Sequence, residues 1–442
     1  MKVQKKMISM VFLSIVLIAF ILLFPEDKNT LSVIMLVLGI YFALNYRRCM
    51  HLYFVLVLLV YTNFCSLVSS ISTGGFHVNF ELGIIVAGIL ILLSTIKRDI
   101  KQLYPTLLWF AVLLISVMVA KLKYGQPIYM SITSVANKWF PLIIIPALAV
   151  YLKDSNDPYI IVQYITRITL LVCAVLCLQY YVLGDKYILL DLALKKRYSG
   201  ETGFLIHLVS PIFLLCLAII LLKNEKKAID WFTVFAIMFT LITVAKTRVF
   251  MFAAFGIIVY CIFFYNRKIS LKTKYGMIFI VSILVIPLIP TIMNMVGNTF
   301  FSEILMKGDD YIRFREIMWF DQVNNSPKWL GIGVENRAYQ GSPFLTGVEN
   351  FKYYVSDLGV IGMFFQYGIQ GIVMFAVYLI QMRRLGRSEI GNYEQGLFNC
   401  LILMILMTSV SVSPMQFIVP IVIVFSLIIG LSDRSSVCEE DY

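Results

Sequence analysis

Apolar residues run along this chain in long stretches, each closed by charged or turn-forming residues. They fall near 7–24, 31–46, 49–71, 80–96, 103–120, 139–152, 159–183, 203–222, 231–245, 248–265, 277–296, 355–380, 397–412 and 415–431. A helix needs about 20 predominantly apolar residues to cross a bilayer. The pattern therefore predicts an all-α fold, a polytopic integral membrane helical bundle of roughly 12 to 14 transmembrane helices, with about 14 as the working count. Residues 1–442 read as a single transmembrane domain, with a large, partly helical loop over 297–354 and a second loop over 184–202. The first run follows Lys2, Lys5 and Lys6 as in a signal peptide but ends in Pro25-Glu26-Asp27 without a small-residue cleavage site, so it is expected to stay as a signal anchor.

Basic residues set the expected orientation. With the N-terminus in the cytoplasm, the inside segments carry 20 of the 37 Lys and Arg residues and the outside segments 16, with Arg167 inside a crossing. The inside segments are short and mostly basic, as in Arg47-Arg48, Lys97-Arg98, Lys223 to Lys227, Arg267 to Lys274 and Arg383 to Arg387. Ten of the outside sixteen lie in the two longer loops, where the rule loses force. Both termini are then cytoplasmic, and both long loops face outward.

Composition excludes the main alternatives. The chain is 60% hydrophobic and 14% charged, with mean hydropathy +0.86, whereas soluble chains are about half apolar and a quarter charged. A soluble enzyme is ruled out. The net charge of +12 is mostly carried by the inside segments, where it suits anionic lipid, and it gives no argument for nucleic acid. All of the eight cysteines but Cys438 fall in apolar runs, and Cys173 and Cys177, on one helix face, read as packing residues. With three histidines (His51, His77 and His207) and no GxxxxGK[ST] motif, neither a metal, a nucleotide nor another cofactor is expected.

The non-membrane mass is concentrated in the outer loop 297–354, and loops of that length are usually functional. Within it, residues 311–323 follow Asp309-Asp310 and read as a helix lying on the bundle or the lipid surface, since Ile312, Phe314, Ile317, Met318, Trp319, Phe320 and Val323 are too many apolar positions for a water-surrounded helix. Arg315, four residues before Trp319, shares its face and is placed to stack on it. Arg313 points elsewhere and is open to two readings, a ligand contact or a surface pair with Glu316. A tight turn follows at Pro327 to Gly333, then a polar stretch containing Arg337 and Glu349, then Asp357 at the start of the next crossing. Asp357 suits either helix capping or catalysis. Arg248 lies between two crossings with almost no loop, where it is either a functional charge or an interfacial residue alongside Lys246. Arg197 precedes another crossing. Guanidinium forks bind phosphate and pyrophosphate through paired hydrogen bonds, so these outward arginines point to a lipid-linked anion at the outer leaflet.

Four motifs, in this order and topology, resemble the O-antigen polymerase and O-antigen ligase superfamily: Lys246-Thr247-Arg248 at a tight hairpin, Arg315 to Trp319 in a late outer loop, Pro327 to Gly333, and Leu358-Gly359-Val360-Ile361-Gly362. The Arg197-Tyr198-Ser199-Gly200 stretch fits as well, and the likeness spans roughly residues 190–380. It implies a multi-pass protein of the bacterial cytoplasmic (inner) membrane with an outward-facing site. The implied activity is metal-independent glycosyl transfer that joins undecaprenyl-pyrophosphate-linked glycans, as donor and acceptor, into O-antigen, capsule or exopolysaccharide. On that resemblance Arg248, Arg315, Asp357 and Glu349 are the expected catalytic residues. Arg197, Arg313, Trp319, Gly331, Gly333 and Arg337 are expected to bind substrate, with a flippase and a chain-length regulator as partners. The superfamily's ligases carry a histidine before the Leu-Gly-x-x-Gly helix; this loop has none, which favours a polymerase. The rival class is a lipid-linked oligosaccharide flippase, which works around a central charged cavity between two similar halves.

Overall fold

The computed structural model describes residues 104–139, 142, 144–154, 159–183, 194–196, 202–204, 209–265, 312–323, 328–336, 339, 341, 353–388, 392–409 and 412–440. The runs expected at 7–24, 31–46, 49–71, 80–96 and 277–296, and the basic segment 266–276, lie outside the described residues.

The described part is mainly helical, with one small hairpin and an irregular stretch at 328–336. Its helices are α1 (Tyr104–Tyr124), α2 (Ile128–Trp139), α3 (Ile144–Asp154), α4 (Ile160–Leu178), α5 (Ser210–Leu222), α6 (Ala228–Phe239), α7 (Arg248–Tyr260), α8 (Ile312–Val323), α9 (Gly359–Ser388), α10 (Asn392–Thr408) and α11 (Ile418–Glu440). Wide π turns extend α4 through Gln179–Leu183, α6 through Thr240–Ala245 and α7 through Cys261–Tyr265. Strands β1 (Leu194–Lys196) and β2 (Thr202–Phe204) pair antiparallel in what reads as a plain loop in the sequence, a small departure from an all-α fold.

Five segments are long and apolar enough to cross a membrane: Leu107–Tyr124, Ile160–Leu183, Ala228–Ala245, Val355–Arg384 and Pro414–Leu431. They fall on five of the expected runs. Four further runs fall on the shorter helices α3, α5, α7 and α10. For α5 the reason is local: Pro211, at the first helical turn, starts the helix seven residues later than the apolar run begins. Helix α5 and the first part of α11 are buried on every side, which is why they are apolar all round and show no polar face. By contrast, α6 turns Trp231, Phe232, Phe235 and Phe239 outward, an apolar face suited to lipid.

Cross-contacts fix how the helices run. Helices α7 and α10 are antiparallel: Cys261 meets Cys400, Asn399 Nδ2 donates to the Tyr260 hydroxyl at 2.9 Å, and Gly256 packs on Met407. Trp109 packs on Phe375 while Ser116 and Ala120 lie near the residues that pair with Gln366, so α1 and α9 are antiparallel too. Cys177 beside Thr240 and Tyr181 against Phe239 bring the last turns of α4 and α6 together. At one end of the bundle therefore lie the α1–α2 turn, the end of α4, the α6–α7 turn, α8, the entry to α9 and the α10–α11 turn. At the other lie Tyr159, the α5–α6 turn, Tyr265 and the start of α10.

Candidate functional site

The sequence-predicted site residues that fall among the described residues lie at the end that holds α8. Gly125, at φ +70, closes α1 as a left-handed cap, its N–H donating to Lys121 O at 3.0 Å. Pro127 then starts α2. Between them Gln126, fully buried, donates to Val334 O at 2.9 Å and to Ser131 Oγ, and its Oε1 accepts the Asn336 N–H at 2.9 Å. Asn336 Nδ2 donates to Met130 O at 2.8 Å, and the Tyr339 hydroxyl donates to Tyr124 O at 3.1 Å. The late loop is thus fastened to the α1–α2 turn by a polar network that the sequence does not advertise. Its one sequence signal is a glutamine held between a glycine and a proline.

Helix α9 is broken. Gly368 has φ 69 and ψ −171 in the middle of an apolar run that reads as one continuous crossing. In a continuous helix the Ile369 and Gln370 N–H groups would close onto Phe365 and Gln366. Here they donate to Lys328 O at 3.0 Å and to Trp329 O at 3.5 Å, while Phe365 O and Gln366 O accept the N–H groups of Ile332 at 2.8 Å and Gly333 at 3.0 Å. Residues 328–334 form a strap that occupies the break, and Val334 N–H continues it onto Ser116 O of α1 at 3.2 Å. Broken backbone is tolerated at membrane depth when protein satisfies it in this way.

The strap accounts for its own glycines. A Cβ on Gly331 would lie 2.5 Å from Gly368 N and 2.6 Å from Phe365 O; one on Gly333 would lie 2.7 Å from Ala120 N and Ser116 O. Both have positive φ, at 64 and 88. Gly331 and Gly333, expected at the substrate, thus face protein backbone. The sequence signal for the break is the Gln366-Tyr367-Gly368-Ile369-Gln370-Gly371 stretch, polar and glycine-rich inside a membrane run.

Helix α8 docks across the strap and the α9 entry. Phe320, Ile332, Tyr353, Val355, Leu358 and Phe365 form a small second core, with Ile317, Trp319 and Val323 packed on it. Trp319 lies 5.9 Å from Tyr353 and Phe320 6.0 Å from Phe365, ring centre to ring centre. Lys123 Nζ caps α8 by donating to Val323 O at 3.1 Å. Arg315 is half-buried on this helix. Glu316 is buried where a surface position is expected, and its Oε1 accepts the Tyr354 N–H at 3.1 Å.

A short 3-10 turn, Val355–Leu358, then leads into α9. Asp357 is exposed, its N–H donating to Tyr354 O at 3.0 Å and its Oδ1 accepting from Ser356 Oγ at 3.3 Å. Gly359, at φ 59, makes the sharp passage into the helix, and a Cβ on Gly362 would overlap Val355 O. The Leu-Gly-x-x-Gly motif is the geometry of this turn.

Arg248 is the first residue of α7. Before it, Lys246 takes a left-handed φ of 49 and sets its ammonium 5.8 Å above the Tyr180 ring, so it docks on the end of α4. Strand β2 lies against the same Thr240–Ala245 turn. Gly256 is level with Met407, near the end of α10, and Arg248 lies eight residues, about 12 Å, further out along α7; at the end of α10 Ser409 O accepts the Val360 N–H at 2.8 Å. Arg248 and Asp357 therefore share one end of the bundle. The side chains of Arg248 and Arg313, and all of Arg197, Arg337 and Glu349, lie outside the described residues. Among the described residues no three His, Cys, Asp or Glu side chains group together.

Compared with models of known protein families and with curated proteins, this chain matches none.

Proposed function

We propose that this chain is a multi-pass membrane glycosyltransferase of the bacterial cytoplasmic membrane that polymerises undecaprenyl-pyrophosphate-linked oligosaccharide repeat units. What supports the reading is that the backbone of the Lys246-Thr247-Arg248 hairpin, of the Arg315 helix and of the Asp357 turn lies at the same end of an apolar helical bundle. In the proposed orientation this end faces outward and both termini face the cytoplasm, following the Lys and Arg bias.

In the proposed reaction a sugar hydroxyl of the acceptor forms a bond to the anomeric carbon of the donor. The bond from that carbon to the pyrophosphate oxygen breaks, and its electron pair leaves on undecaprenyl pyrophosphate. The hydroxyl proton passes to a carboxylate, for which Asp357 and Glu349 are the candidates. Arg248 and Arg315 stabilise the charge developing on the pyrophosphate, a task a divalent metal performs elsewhere. A flippase delivering substrate and a chain-length regulator would be the protein partners.

The break at Gly368 favours a second reading, because discontinuous helices are characteristic of transporters. Against it, the strap takes up the freed backbone groups at the break instead of leaving them to a cargo. A deletion strain separates the two: lipid-linked repeat units that accumulate translocated but unpolymerised support the polymerase, and units retained on the cytoplasmic leaflet overturn it in favour of a flippase. Purified protein should also elongate lipid-linked units in the presence of a chelator. Labelling of Gln340→Cys but not Ser270→Cys on intact cells, in a cysteine-free background, checks the orientation.

A further inference from the structure

Between Arg315 and the Asp357 turn the structure provides a specific link. Glu316 is 3% exposed, one residue after Arg315, on the helix that packs Phe320 into the second core. Its carboxylate accepts the N–H of Tyr354, and the carbonyl of the same residue accepts the N–H of Asp357. One acceptor on α8 and one peptide at Tyr354 therefore set where the 3-10 turn begins. A carboxylate is a costly group to bury, and an apolar side chain of the same size would suit the surroundings better for packing alone. The short hydrogen-bonded path from Glu316 to Asp357 points to a purpose beyond packing.

We propose that Glu316 is a positioning residue. It ties the helix that carries Arg315 to the turn that carries Asp357, and so keeps a leaving-group arginine and a candidate base in register. The role rests on the glycosyl-transfer reading above, since positioning has meaning only if both groups serve one reaction.

The test compares Glu316→Gln with Glu316→Leu in full-length protein in nanodiscs. Glutamine keeps an oxygen that accepts the Tyr354 N–H; leucine keeps the volume and suits the apolar core but accepts nothing. Amide exchange at Tyr354 to Leu358 is read together with the kinetics of lipid-linked glycan polymerisation. For the leucine variant we expect exchange roughly tenfold faster or more, and kcat lowered on the order of ten- to a hundredfold with KM within about threefold. Glutamine should restore both to within about threefold of the starting protein. Unchanged exchange in the leucine variant would overturn the link, and unchanged kcat alongside faster exchange would overturn the positioning role alone. If the unsubstituted protein forms no polymer, the glycosyl-transfer reading falls and the positioning role falls with it, whatever the exchange shows.

Discussion

At the end of the bundle that holds Tyr159, Lys223 and Glu394, helix termini and one short turn close directly on one another. Lys223 pairs with Asp230 at 3.0 Å, and Asp230 also accepts the Lys227 N–H at 2.9 Å, so the α5–α6 turn is capped by its own residues. Lys226 donates to Lys223 O at 2.7 Å, and burial holds its ammonium below the usual lysine range. Tyr159 donates to Glu394, and Tyr393 stacks edge-on against Tyr159 at 5.7 Å. At the end that holds Arg248 and Asp357 the sealing is done instead by non-helical chain that runs between helices. The strap pairs with positions 33 to 41 residues further on in α9, and Gln126, in the turn between α1 and α2, reaches partners more than 200 positions on. A turn sealed by its neighbours is stable and has little surface left to offer. An end sealed by a folded loop brings together backbone from several helices, an arrangement on which a site can be built.

That contrast can be broken most directly at the two arginines. Under the proposed reaction, Arg248→Ala and Arg315→Ala should each reduce polymerisation on the order of a hundredfold, about 3 kcal/mol. Lysine should restore only part, since it lacks the planar fork. Polymer length against membrane protein level is the measurement; near-normal polymer from both alanine variants would make them interfacial residues.

The strap comes next. Gly333→Ala should lower stability by about 2 to 3 kcal/mol, because a side chain at positive φ meets the backbone of α1. Thermal unfolding in detergent would register it. Gly396→Ala at the opposite end, where the neighbours are the movable side chains of Tyr265 and Leu222, should cost less. Equal losses would erase the distinction between the two ends.

Gln126→Ala removes the acceptor of the Asn336 N–H and the donor to Val334 O, and should cost about 2 kcal/mol. Faster proteolysis within the late loop is the expected sign. Smallest of all, Lys223→Ala should change stability by less than about 1 kcal/mol and leave polymer unaltered, since half of a partly exposed pair is lost while Asp230 keeps its backbone partner. A large effect on polymer from that substitution would move the functional end.

The sequence by itself determined the long apolar runs now seen as five membrane-length helices, the helix over Ile312–Val323, and the tight turn before Arg248. Each of these is a local matter: run length, acidic residues ahead of a patterned stretch, or the absence of any loop between two runs. Tertiary structure alone decided the break at Gly368, the strap that fills it, the burial of Gln126 and the reach of Glu316 to Tyr354. None has a periodicity to betray it, because each joins backbone or polar atoms from segments tens to hundreds of residues apart. Gly331 and Gly333 likewise show in the fold what the sequence alone does not, neighbouring backbone within 3 Å of any added Cβ. A motif records that a position tolerates no side chain, but only the folded chain shows which atoms exclude it.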